Sequence, residues 1–155
     1  MVKENKKEKL CLFFASDYHF EMISLPYINK ELKGNKNVIV VTENDLDETV
    51  SKVLSNINLN NDEKEKISKL DWKNNDANKF KQIKSANEEK KETIIFVKGK
   101  ENYINNINKN LDNWINVDNM KIIDCYDINE VYNDVSDIAK RYKKILSTSG
   151  VEKLL

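Results

Sequence analysis

Glycine occurs three times in this chain, and proline, arginine and histidine once each. The shortage of glycine and proline excludes collagen-like, loop-dominated and Gly/Ser-linker chains. It also excludes most glycine-rich phosphate loops, which need glycine to bring backbone N–H groups onto a phosphate. Arg141 stands alone beside 25 lysines, so bidentate recognition of phosphate or carboxylate is nearly out of reach. Charge of one sign is missing too. The 26 basic and 26 acidic residues cancel, which argues against a nucleic-acid binder. Cys11 and Cys125, the two cysteines, each sit in an apolar run. They make no disulfide framework and read as reduced, buried, inert hydrophobes. No run approaches the roughly 20 apolar residues of a membrane span. Residues 1–9 are charged and polar, without the apolar core of a signal peptide. A soluble, cytoplasmic protein with no membrane partner is expected.

What is present points to one domain. The chain has 155 residues, of which 39% are hydrophobic and 34% charged. Residues 1–8 read as a disordered tail and 9–155 as a single α/β domain. Four short apolar runs stand out, at 10–15 (LCLFFA), 38–41 (VIVV), 93–97 (TIIFV) and 120–126 (MKIIDCY). Most are continuous rather than alternating, as in strands buried on both faces of a parallel sheet. Helical spacing fills the intervals at 19–33, 45–57, 60–70, 77–92 and 103–115. Gly34 is a natural stop for the first helix, and Pro26 implies either a kink or a new start within it. The 77–92 segment has only Phe80 and Ile83 as strong anchors and reads as exposed. A last helix is expected from Ile128, Val131, Tyr132, Val135, Ile138, Tyr142 and Ile145, with Asp127 and Glu130 as its capping box. The alternation predicts a three-layer α/β/α fold, RecA-like or Rossmann-like, with a mostly parallel sheet of four or five strands. A short edge strand at 70–72 would be the fifth.

In such sheets ligands bind outside the carboxyl ends of the strands. That rule selects Ser16, Asp17 and His19 after the first strand, and Thr42 and Glu43 after the second. It adds Lys98 and Lys100 after the third, and Tyr126 and Asp127 after the fourth. The first turn, ASDYHFE, has no glycine, and Asp17 and Glu21 would repel a phosphate there. No hydrolysis and no tight Mg-dependent ATP binding are expected. Glu43 has the place of an acid that holds a ribose hydroxyl, although a solvated loop acid is the simpler reading. Lys98 and Lys100 could hold a small anion as point charges. Ser16 and His19 have neither a G-x-S-x-G elbow nor an orienting third group, so a helix start explains them better than catalysis. No spaced ligand set for a metal is present, and no cofactor is expected. A pocket framed by Asp17, His19, Glu43 and Tyr126 is predicted. Histidine ordinarily titrates near neutrality, so its binding would change between about pH 5 and pH 8. Trp114 has the helical spacing of a core residue. Trp72, in KLDWKNND, reads as an exposed anchor.

Residues 11–43, CLFFASDYHFEMISLPYINKELKGNKNVIVVTE, resemble the opening of MEDS-type sensory domains. These look like RecA or KaiC ATPase domains that have lost the phosphate loop. The resemblance is carried by the strand ending Leu12-Phe13-Phe14 and by the acidic turn in the P-loop position. The helix with Pro26-Tyr27-Ile28, Leu32 and Gly34 follows, and then the strand that ends in Thr42-Glu43. Lys9 stands near where the family usually has a histidine, so no role of that histidine carries over. The resemblance implies a non-catalytic regulatory or sensory domain that binds a small ligand or a signalling protein, with a homodimer compatible. A small enzyme acting on a phosphorylated or nucleotide substrate and a protein-interaction adaptor are the alternatives.

Overall fold

The computed structural model describes residues 8–114 and 119–153, with the Trp114 side chain left out. Its elements in chain order are β1 (Glu8–Phe14), α1 (Asp17–Lys33), β2 (Asn37–Thr42), α2 (Asp47–Leu54), α3 (Asn61–Ser68) and α4 (Asp76–Glu88). There follow β3 (Thr93–Gly99), α5 (Glu101–Trp114), β4 (Met120–Asp127), α6 (Val135–Ala139), β5 (Lys144–Ser147) and β6 (Gly150–Lys153). The strands form one sheet in the order β2-β3-β4-β1-β5-β6. Every neighbouring pair is parallel except β5 and β6.

The pleat divides the apolar runs between two layers. Leu10, Leu12, Phe14, Val38, Val40, Ile94, Phe96, Ile123 and Cys125 pack with α1, α2 and α3. Cys11, Ile39, Val41, Ile95, Val97, Ile122 and Tyr126 pack with α4, α5 and α6. The chain crosses outward from β1 to the β2 edge under α1, then steps back through β3 and β4 under α4 and α5. Opposite directions of travel with one hand of crossover put those helices on opposite faces. The crevice where the direction reverses opens at the carboxyl ends of β1 and β4.

The structure corrects several expectations. Among the described residues the sheet has six strands rather than four or five, because the segment read as one last helix does not continue as one. Its 3–4 spacing is met by hydrogen-bonded turns from Val131 N to the Asp127 carbonyl and from Asp134 N to the Val131 carbonyl, and then by the short α6. Ile145 instead pairs with Cys11 in β5, and Gly150, at φ +97°, lets the chain reverse into β6. Asp127 and Glu130 therefore cap no helix there. Residues 70–72 form no strand. Trp72 is 3% exposed: its ring joins Val50, Leu54 and Ile67 in the core, and its Nε1 donates to the Ile67 carbonyl at 2.9 Å. α4 is not an exposed helix, since Ile83, Ala86 and Lys79 are buried along it. The Lys79 ammonium donates to the carbonyls of Val40 and Lys73, which covers the β2 edge of the sheet. Pro26 lies inside a single helix, whose end Gly34 caps as expected, with the left-handed backbone at the next residue, Asn35 (φ 62°). Of the tail expected at 1–8, Glu8 belongs to β1, where it pairs with Lys121. Residues 1–7, and Ile115 of the α5 face, lie outside the described residues.

Candidate functional site

α1 begins with a reciprocal cap. Ser16 is extended (φ −160°), and its Oγ accepts from His19 N at 3.1 Å. His19 Nδ1 in turn accepts from Ala15 N at 2.8 Å. Serine and histidine thus satisfy backbone donors at the helix start. Asp17 is left as the first helical residue, free to face the sheet ends.

The row Ile94, Phe96, Lys98 along β3 points toward α1, so the apolar row ends in an ammonium. Lys98 is 3% exposed. Its Nζ lies 2.8 Å from Asp17 Oδ1 and 3.1 Å from Asn44 Oδ1, and Asn44 Nδ2 closes the triangle by donating to Asp17 Oδ2 at 3.3 Å. The faces of Phe14 and Phe20 flank the ammonium, with ring centres at 4.7 and 5.4 Å. Next to it, Glu43 N donates to the Lys98 carbonyl, and Glu43 Oε1 accepts from Lys100 N at 2.8 Å. Asn74 Nδ2 holds the carbonyls of Thr42 and Glu43 at 3.1 and 2.9 Å.

These groups enclose a cleft of about 710 Å³ across the carboxyl ends of four strands. β1 and α1 supply Phe14 and Asp17, and the turn after β2 supplies Glu43 and Asn44. Lys98, Gly99 and Lys100 come from β3, and Asp127, Asn129 and Glu130 from the end of β4. Three of the four carboxylates also brace the rim. Asp127 Oδ1 accepts from Asn129 N, Glu130 Oε1 accepts from Glu101 N at the start of α5, and Glu43 holds Lys100 as above. With four carboxylates and two ammoniums, the cleft offers mostly hydrogen-bond acceptors, with one cation set deep in the wall. That equipment suits recognition of a polar molecule.

Of the nine residues selected from the sequence, Asp17, Glu43, Lys98, Lys100 and Asp127 line this cleft. Thr42 is buried beneath it, its Oγ1 donating to the Asn44 carbonyl at 2.7 Å. Ser16 and His19 are spent on the helix cap. Tyr126 faces the opposite layer, with its hydroxyl 2.7 Å from that of Tyr142, which donates to the buried Asp124 at 2.6 Å. The predicted frame of Asp17, His19, Glu43 and Tyr126 therefore contributes only its two acids. Phe14, Asn44, Gly99, Asn129 and Glu130, which also line it, were not among the nine. The fold rule pointed to their segments, but a phenylalanine in an apolar run and an asparagine among many carry no signal of their own.

Glu21 lies one helical turn beyond Asp17 and is fully buried. Burial pushes its carboxyl up to about 7, and the charge of Asp17 adds to that, while Thr49 and Lys98 pull the other way. Among the described residues no cluster of metal-ligating side chains occurs, and no helix is long and apolar enough to cross a membrane. No protein-family model, curated protein or solved structure matches the chain.

Proposed function

We propose that the chain is a non-catalytic sensory or regulatory domain that binds a small polar, non-phosphorylated ligand in the strand-end cleft. One observation carries the reading. The start of the helix after the first strand is where α/β folds seat a phosphate, and here that place faces an internal carboxylate, Asp17, which is already paired with the buried Lys98. A phosphate there would have to displace Asp17. A ligand bearing hydroxyl or ammonium groups would instead meet the acceptors of Glu43, Asp127 and Glu130. The resemblance of residues 11–43 to sensory domains without a phosphate loop supports the same reading.

The test is a thermal-shift screen of amines, polyols, amino acids, nucleotides and sugar phosphates, followed by calorimetry on each hit. The expected result is a non-phosphorylated hit whose affinity falls at least tenfold in Glu43→Gln, with the fold intact. Mg-dependent nucleotide binding, or turnover of a phosphorylated compound, would overturn the proposal in favour of an enzyme.

A further inference from the structure

The contact between α1 and α2 contains a proton-counting problem. Thr49 Oγ1 lies 2.5 Å from Glu21 Oε2 and 3.1 Å from the Leu46 carbonyl oxygen. A hydroxyl carries a single proton and cannot donate to a carboxylate and a carbonyl at once. Both contacts are satisfied when Glu21 is itself protonated: the acid O–H donates to Thr49, and Thr49 donates to Leu46. The other carboxyl oxygen, Oε1, is buried with no partner among the described residues, which a neutral acid tolerates far better than an anion.

The relay ends at a place that matters for the cleft. Leu46 precedes the first residue of α2 and has no side-chain cap, and its carbonyl also accepts from Val50 N at 2.9 Å. The two residues before Asp45 and Leu46 are Glu43 and Asn44 of the cleft rim. The charged groups that face Glu21 are Asp17 on its own helix and Lys98 from β3. α2 presents the uncharged Thr49. The acid of α3 nearest α1, Glu63, is held by Asn29 and Lys33 toward the other end of α1.

We propose that Glu21 is a proton-operated tie between α1 and the start of α2, two residues beyond Asn44 of the cleft rim, closed when Glu21 is protonated and opened when it is ionised. As regulation of ligand binding this rests on the cleft reading above. As a switch in the fold it does not. Ionisation leaves a buried charge facing Asp17, and the Thr49 hydroxyl, which then donates to the carboxylate, no longer donates to the Leu46 carbonyl. Separation of α2 from α1 then lets water reach the carboxylate.

The experiment uses the full chain without any ligand. Exchange of the Val50 amide is followed by NMR from pH 5 to pH 8, corrected for intrinsic exchange, while the Glu21 carboxyl ¹³C shift is titrated in the same samples. Protection of Val50 is expected to fall by about tenfold per pH unit up to neutrality and then level off, with the carboxyl midpoint near the end of that fall. Glu21→Gln, which keeps an uncharged group of the same shape, is expected to remove the slope. Thr49→Val is expected to leave Val50 poorly protected at every pH. A flat wild-type profile, a Glu21 midpoint at the ordinary carboxylate value, or a wild-type slope retained in either variant would overturn the proposal. Because no ligand is present, such a failure leaves the cleft reading standing, and a cleft that binds nothing leaves this result untouched.

Discussion

Gly99 and Glu43 approach so closely that a methyl group on Gly99 would stand 2.8 Å from Glu43 Oε1 and 2.9 Å from its Cβ. The same methyl would lie 2.7 Å from the Tyr103 ring. Glycine at this point lets the end of β3 press against the turn after β2, which is how Glu43 comes to hold Lys100.

Gly99→Ala is therefore expected to cost about 1–3 kcal/mol, as overpacking in a confined site does. Gly34→Ala is the control. There the nearest atom to a Cβ is the Glu31 carbonyl oxygen at 3.4 Å, and φ is an ordinary −82°. That variant should change stability by less than about 1 kcal/mol. Urea denaturation of both checks the contrast, and equal effects would show that the Gly99 contact is not confined.

The pair Asp17 and Lys98 is asymmetric, since the carboxylate side chain is 36% exposed and the ammonium 3%. Removing the acid leaves a charge buried among Phe14 and Phe20 that keeps Asn44 as its hydrogen-bond partner. Asp17→Ala should destabilise by about 1–2 kcal/mol, less than for a fully buried pair because water reaches the site. Lys98→Met keeps the volume in apolar surroundings and should stay within about 1.5 kcal/mol of wild type. The ordering of the two midpoints in urea is the measurement. A Lys98→Met chain clearly less stable than Asp17→Ala would contradict it.

Two carboxyls shape the pH profile in opposite directions. Hydrogen bonds from Lys33 and Asn29 and from the Asn60 backbone pull Glu63 down to about 2. Its contribution is present above the ordinary value of 4.5 and is lost as pH falls toward 2. Glu21, raised to about 7, binds a proton in the folded state that the unfolded chain has released. Its contribution is present below pH 4.5, declines as pH rises to about 7, and is constant beyond. Denaturation across pH should show Glu63→Gln flattening the acid limb and Glu21→Gln flattening the span up to neutrality. The reverse assignment would sink both attributions.

Both thiols should be inert. Burial pushes Cys11 up to about 12 and Cys125 well above the ordinary thiol value, and the charge of Asp124 adds to each. Labelling of the native protein by a thiol reagent is expected to proceed only at the rate of unfolding. Fast modification of either cysteine in native buffer would refute this.

Continuous apolar runs with a buried face on either side determined four parallel strands and the layers that cover them, because burying such a run on both faces requires helices above and below. The rule for strand ends then placed Asp17, Glu43, Lys98, Lys100 and Asp127 around one crevice. What the chain alone did not determine is how each polar side chain is spent. Ser16 and His19 look like a site but are local partners of one helix start. Trp72 looks exposed from its polar neighbours, yet turns inward because the end of α3 leaves a carbonyl and an apolar gap for it. Ile128 through Ile145 keep helical spacing, although turns, a short helix and a strand beside Cys11 take the place of one helix, burying Val131 and Ile138 and leaving Tyr132 exposed. The relay from Glu21 through Thr49 to Leu46 joins residues that neither periodicity nor motif connects. Local spacing reports which face of an element must be buried. Only the packed structure decides what lies against that face, and therefore which acid meets a lysine, which meets a backbone N–H, and which must keep its proton.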